Sequence, residues 1–296
     1  MGENTVTGLT ASGLGRPRAR RVNDRACLPD LEAPISLIWE LTGAPEAADR
    51  RRRDPRELNT AECRSLIDEF ALMPGCSVRI GGGEPTARAD FWELLDHATD
   101  RRVAVTFSTT GVGLTPAAAT RIATSGAVEV LISLAGATEA VDDLSRGAGS
   151  YATAVRAMEL LLSSGAYGFT ISVVVTQHNV GQLDGFLAIA NLFGAKLRLA
   201  QLRPAGAHSR DDLRLLSRQQ RTLDLWLLDH GDQVLLDDPA VDGAGRAVWL
   251  VDSIGDVYSH RSVAHGAVSA GNVRADGGFA HIRRRAELSA DLRAPA

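Results

Sequence analysis

Between residues 35 and 202, short runs rich in β-branched residues alternate with longer amphipathic stretches. That rhythm restricts the chain to parallel strands joined by crossover helices. The strands expected are ISLIWEL (35–41), SVRI (77–80), VAVTFST (103–109), VEVLISL (128–134), FTISVVVT (169–176) and KLRLAQL (196–202). Helix boundaries are legible between them. Asn59 with Glu62 has the spacing of a capping box, Pro116 follows Thr115 as a first-turn proline, and Ser150 opens a helix that Gly165 closes. Six such strands suit either an open doubly wound sheet or a partial barrel, and both put function at the C-terminal strand ends.

After residue 207 the rhythm changes. One amphipathic helix, SRQQRTLDLWLLDHG, precedes AVWLVDSIGDVYSH, which reads as a hairpin of two apolar runs around a Gly-Asp turn. The organisation expected is a flexible Gly- and Arg-rich leader at 1–32, a main unit at 33–207 and a small, truncated α+β unit at 208–296.

The chain has 296 residues, of which 45% are hydrophobic, enough to bury a substantial core. Its arginine runs at 16–21, 50–53 and 283–285 lack the interleaved aromatics of a nucleic-acid surface, so no nucleic-acid partner is expected. No stretch approaches 18 uninterrupted apolar residues, and residues 1–30 lack an apolar signal segment; the expectation is a cytoplasmic protein without a membrane partner. The three cysteines, Cys27, Cys63 and Cys76, do not form a disulfide framework.

The sharpest local feature is RIGGGEPTARADFWELL, residues 79–95, where three glycines and Glu84-Pro85 lead from a strand to a helix. Glycines there let a ligand approach the backbone, and the exposed peptide groups can bind an amine or a carboxylate. The spacing fits neither a dinucleotide fingerprint nor a P-loop. Other strand ends add Ser108, Thr109, Thr110 and Gly111, then Ser133 and Gly136, then Thr176 and Asn179; Arg146 and Arg203 are placed to join them. His260, His265 and His281 match no zinc or non-haem iron spacing.

Strand-GGGEP-T-x-x-x-DFWELL, FSTTG, ISLAGA, SRGAGSYATAVRAMELL, ISVVVTQHNVGQLDGF and LRLAQLRPAG occur in order. Together they resemble the radical S-adenosylmethionine (SAM) family, and within it the mycofactocin peptide maturases. The resemblance implies an α/β fold, a partial six-unit βα barrel, with 208–296 as a shortened remnant of an auxiliary domain. It further implies that Gly82, Gly83, Glu84 and Pro85 bind the methionyl amine of SAM, that Ser108 and Thr110 lie near the ribose or carboxylate, and that Ser133 and Arg146 help to hold SAM. Partners implied are a small precursor peptide, decarboxylated and crosslinked at a C-terminal Val-Tyr, and its small carrier protein.

The family's 4Fe-4S cluster requires three thiolates, C-x3-C-x2-C, after the first strand. Here those positions carry Pro45, Asp49 and Arg52: no donor atom, a hard oxygen and a fixed positive charge. The Asn of the family's STNG is Thr110, and the Asp of SLDG is Ala135. Near the auxiliary-cluster positions stand Asp242, Trp249 and His260. The resulting expectation is a member unable to ligate 4Fe-4S, a pseudoenzyme or peptide-binding protein. Two alternatives stay open: an active maturase with unusual cluster ligation, and a cluster-free SAM-binding protein.

Overall fold

A computed structural model describes residues 35–43, 54–126, 128–202, 213–237, 248–259 and 268–291. The expected leader, the cluster-loop positions Pro45, Asp49 and Arg52, and Arg203, Asp242, His260 and His265 lie outside them.

Seven parallel strands follow one another in chain order: β1 (Ser36–Thr42), β2 (Ser77–Gly82), β3 (Ala104–Thr109), β4 (Val128–Leu134), β5 (Thr170–Val175), β6 (Lys196–Gln201) and β7 (Val234–Leu236). The crossovers are α1 (Thr60–Ala71), α2 (Phe91–Asp100), α3 (Pro116–Ser125), the pair α4 (Glu139–Arg146) and α5 (Ser150–Ser163), α6 (Leu183–Phe193) and α7 (Ser217–His230). The six expected strands form within two residues of their expected ends; β7 is an addition.

The hairpin forms as β8 (Val248–Val251) and β9 (Asp256–Ser259), followed by β10 (Gly271–Asn272) and α8 (Phe279–Asp291). It continues the main sheet, because β8 pairs in parallel with β1, Leu37 opposite Trp249. The turn is Asp252–Gly255: the Asp252 carboxylate accepts from the Ile254 and Asp256 amides, and Gly255 takes a φ of +91°.

Helix caps follow the local chemistry. Asn59 and Glu62 exchange side-chain-to-backbone bonds of 3.0 and 2.7 Å, and the Thr115 hydroxyl accepts from the Ala118 amide. Ser150 differs from expectation: Gly149 is the cap, and the Ser150 hydroxyl binds the Asp142 and Asp143 carboxylates of α4 instead.

Alternation divides each strand between two environments. Leu37, Trp39, Val78, Ile80, Val105, Phe107, Ile132 and Val173 are buried beneath the helices. An edge-to-face series Trp39, Phe70, Phe279, Trp249 binds α1, α8 and the hairpin to β1 at centroid separations of 6.0, 5.6 and 5.9 Å.

The other sheet face is concave. β2 and β7 are five strand spacings apart, about 24 Å along the sheet. Yet Arg79 lies 3.3 Å from Asp237, at the end of β7, and Arg198 of β6 binds the same carboxylate. Side chains of that length meet only if the sheet curls into a partial barrel, which settles the choice between sheet and barrel.

Candidate functional site

The C-terminal ends of β2 to β6 converge on a cleft of about 570 Å3. At the end of β2, Gly82 has a φ of +89°, and a β-carbon there would lie 2.3 Å from the Thr42 carbonyl oxygen. The next amide, Gly83, donates to that oxygen at 2.8 Å. The glycine-rich turn therefore folds back over the exit of β1.

Beyond it Glu84 points inward, 1% exposed. Its carboxylate accepts from the amides of Thr86 (3.1 Å) and Thr110 (2.7 Å) and from the hydroxyls of Thr86, Thr109 and Thr110. Five donors occupy both oxygens. The acid thus joins the ends of β2 and β3 and caps the short 3₁₀ turn Pro85–Ala87.

A second buried network closes the exit of β1. Glu57 accepts from the Thr42 hydroxyl and the Gly43 amide at 2.9 and 2.8 Å. The Arg88 guanidinium donates to the carbonyls of Leu41 and Leu58 and to Asp90, and lies 3.8 Å from Glu57. Burial works against the Arg88 charge, but the Asp90 bond and the neighbouring carboxylates outweigh it and raise its pKa. Asp90 feels burial in the opposite sense to its partners, and the Arg88 and Thr60 hydrogen bonds prevail, bringing its pKa down to about 2. Leu58 also donates to the Ser253 carbonyl in the β8–β9 turn.

On the far side, Asp142 accepts from the amides of Ala135 and Gly136 and fixes the exit of β4. Asn179 donates to the carbonyls of Ala135 and Val174 and accepts from the Thr176 amide, joining β4 to β5. Arg146 donates to the Ser133 carbonyl.

Of the site residues expected from the sequence, Gly82, Gly83, Thr110, Ser133 and Arg146 line the cleft. Glu84 and Pro85 are buried beneath it. Ser108 lies on the concave face of β3, away from that lining, because Phe107 and Thr109 take the helix side. The Thr110 hydroxyl is committed to Glu84. Sequence reasoning missed Ser172 and His178, which also line the cleft. Ser172 was findable, since Ile171 and Val173 flank it as buried residues; His178 carries no such signal.

Neither described thiol is placed to hold an iron-sulfur cluster at this mouth. Cys63 is buried on α1, its sulfur 3.6 Å from the Leu58 carbonyl and 3.7 Å from Arg88. Cys76 precedes Ser77, which is level with Ser36 at the start of β1, so about 20 Å of strand separates it from the cleft. Between Gly43 and Glu62 the sequence contains no cysteine. Among the described residues no three His, Cys, Asp or Glu side chains converge as a metal-binding set.

A curled parallel sheet with a glycine-rich turn, an inward glutamate and a polar cleft at the strand exits defines a class of barrel, and residues 39–188 match the model of the Radical SAM superfamily; the chain belongs to that family. Within it, the chain is similar to mycofactocin maturase MftC. The protein of Mycobacterium ulcerans is 46% identical over 289 aligned residues, covering 90% of this chain and 78% of that one. That of Mycobacterium tuberculosis H37Rv is 44% identical, covering 90% and 74%.

Solved structures agree on the fold. SuiB of Streptococcus suis bound to S-adenosylmethionine matches with a TM-score of 0.63 over 81% of this chain and 63% of that one, at 14% identity. Native anSMEcpe with bound AdoMet matches with a TM-score of 0.62 over 82% of this chain and 78% of that one, at 17% identity.

Proposed function

We propose that this chain is a diverged radical SAM protein of the mycofactocin-maturase type that keeps the barrel and its cleft, does not ligate 4Fe-4S, and acts by binding a peptide or partner protein. The observation that carries this reading is the donor set. The segment after β1 offers proline, aspartate and arginine where three thiolates are needed, and both described thiols are buried away from the cleft. Iron in such clusters is held by soft sulfur, and neither an arginine nor a proline replaces it.

The binding surface in this reading comprises Gly82, Gly83, Thr110, Ser133 and Arg146, with Glu84 and Pro85 supporting it from below. SAM, where it binds, rests on the same residues without an open iron to anchor it. The partners are a small precursor peptide and its small carrier protein, in the cytoplasm; no helix among the described residues is long and apolar enough to cross a membrane.

The test is anaerobic reconstitution with iron and sulfide. We expect sub-stoichiometric iron, no 4Fe-4S absorption and no deoxyadenosine from SAM and dithionite. A cluster bound at one per chain that supports deoxyadenosine formation overturns the proposal and restores an active maturase.

A further inference from the structure

Helix α7 spends its inner stripe on the barrel. Leu223 is buried, the Trp226 indole donates to the Asp184 carboxylate of α6 at 2.6 Å, and the Gln219 side-chain amide donates to the Gln177 carbonyl beyond β5 at 2.9 Å. At about 100° per residue, Arg218, Arg221, Leu225, Leu228 and Asp229 fall within an arc of about 100° on the opposite side. All five are exposed, Leu225 by 58% and Leu228 by 81%. Arg218, Arg221, Leu225 and Leu228, continued by the exposed Asp232 in the next turn, alternate by three and four positions, the spacing of a two-helix seam.

The seam is polarised. Arg218 and Arg221 occupy its N-terminal half and Asp229 and Asp232 its C-terminal end, and none of the four forms an ion pair among the described residues. That order opposes the helix dipole, which favours acids in the first turn and bases in the last. Helices α1, α2, α4 and α6 each place an acid in the first turn, whereas α7 has none there. The charges therefore do not serve the helix that carries them. They are complementary to an identical helix laid antiparallel. With the two-fold axis between Leu225 and Leu228, each Leu225 packs on the second copy's Leu228, and each Arg221 meets the second copy's Asp232, with Arg218 and Asp229 beside that pair.

We propose that the outer face of α7 is a self-association surface, through which two copies of this chain pair as an antiparallel, two-fold dimer. Symmetry repeats every contact, giving two leucine layers flanked by an arginine-aspartate layer at each end. Each helix is already held on its own barrel, so none has to form on association. The seam spans about two heptads and buries well under the roughly 1,600 Å2 of a standard interface, so the dimer is weak, with a dissociation constant of about 10–100 µM.

The experiment is sedimentation velocity of the full chain across about 1–300 µM, bracketing that constant. One variant, Arg218→Glu/Arg221→Glu, makes the seam wholly acidic, and another, Asp229→Lys/Asp232→Lys, makes it wholly basic. All four side chains are exposed, so both variants are expected to melt within about 2 °C of the parent. Each alone is expected to dimerise at least about tenfold more weakly, because like charges then face each other, and their equimolar mixture is expected to regain a dimer at least as tight as the parent's. Leu225→Ser/Leu228→Ser is expected to abolish association in the same range. Raising salt from about 50 to 500 mM is expected to weaken the parent dimer severalfold.

A parent chain that stays monomeric at every concentration overturns the proposal. So does a dimer that survives the serine variant unchanged, since it then forms through another surface, and that result stands even where a charge variant fails to melt cooperatively. Two folded charge variants that do not associate on mixing overturn the antiparallel pairing.

Discussion

Replacing Glu84 by alanine tests whether the GGGEP acid serves the fold or a ligand. The carboxylate is 1% exposed and accepts from two amides and three hydroxyls. The hydroxyls of Thr86, Thr109 and Thr110 can rotate toward other acceptors; the Thr86 and Thr110 amides cannot. An orphaned buried donor costs about 1–3 kcal/mol, so the two amides alone give about 4 kcal/mol, which in a chain of this size is roughly 8 °C in melting temperature. Glu84→Gln keeps one acceptor oxygen for the Thr86 side but turns an amide group toward the Thr110 N–H, and about 2 kcal/mol is expected. Thermal and urea unfolding without ligand measure both. A Glu84→Ala chain that melts within 2 °C or so of the parent would refute the structural role, and lost peptide or SAM affinity in that stable variant would assign the acid to a ligand.

Two further outcomes follow from the network at the β1 exit. Arg88→Met leaves Glu57 and Asp90 without their buried cation and is expected to cost about 3–5 kcal/mol, read from the urea midpoint. Asp90 titrates at about 2 in the folded chain against 3.8 as the ordinary value. Its contribution is therefore complete above about pH 4 and disappears as pH falls through 2, with about 2 kcal/mol at stake. Urea titrations at pH 5, 3 and 2 should show that slope, and Asp90→Asn should flatten it.

Much of the barrel is legible because its information is local. Period-2 runs, a capping box and a first-turn proline each act within a few residues, and the six expected strands form nearly where their patterns end. What escaped was non-local or short. β7 has three residues and no alternation to display, and it is held by pairing with Leu197 to Leu199 of β6. The hairpin was readable as a hairpin, but the parallel pairing of Val248–Val251 with β1 depends on chain segments more than 200 residues apart.

The same division runs through the site. Gly82, Gly83, Thr110, Ser133 and Arg146 converge because strand ends of one parallel sheet must share an edge. The inward turn of Glu84 was unreadable, since a glutamate beside glycines reads equally well as exposed. Arg88 and Glu57 were invisible for the same reason: charged residues are usually solvated, and only the assembled barrel shows Leu41, Leu58 and Asp90 as partners of Arg88 and Thr42 and Gly43 as partners of Glu57.

These networks show what holds the mouth of the barrel together. Each polar group at the exits of β1 to β5 that holds the loops is satisfied by the chain itself: Glu84 by three threonines, Glu57 by Thr42 and Gly43, Asp142 by Ala135 and Gly136, Asn179 by three main-chain groups. Arg88 anchors both flanks of the loop that follows β1, through Leu41 on one side and Leu58 on the other. A loop whose two ends are fixed in this way can exchange the residues between them at little cost to folding. The shape of the cleft therefore rests on contacts that the described residues make among themselves.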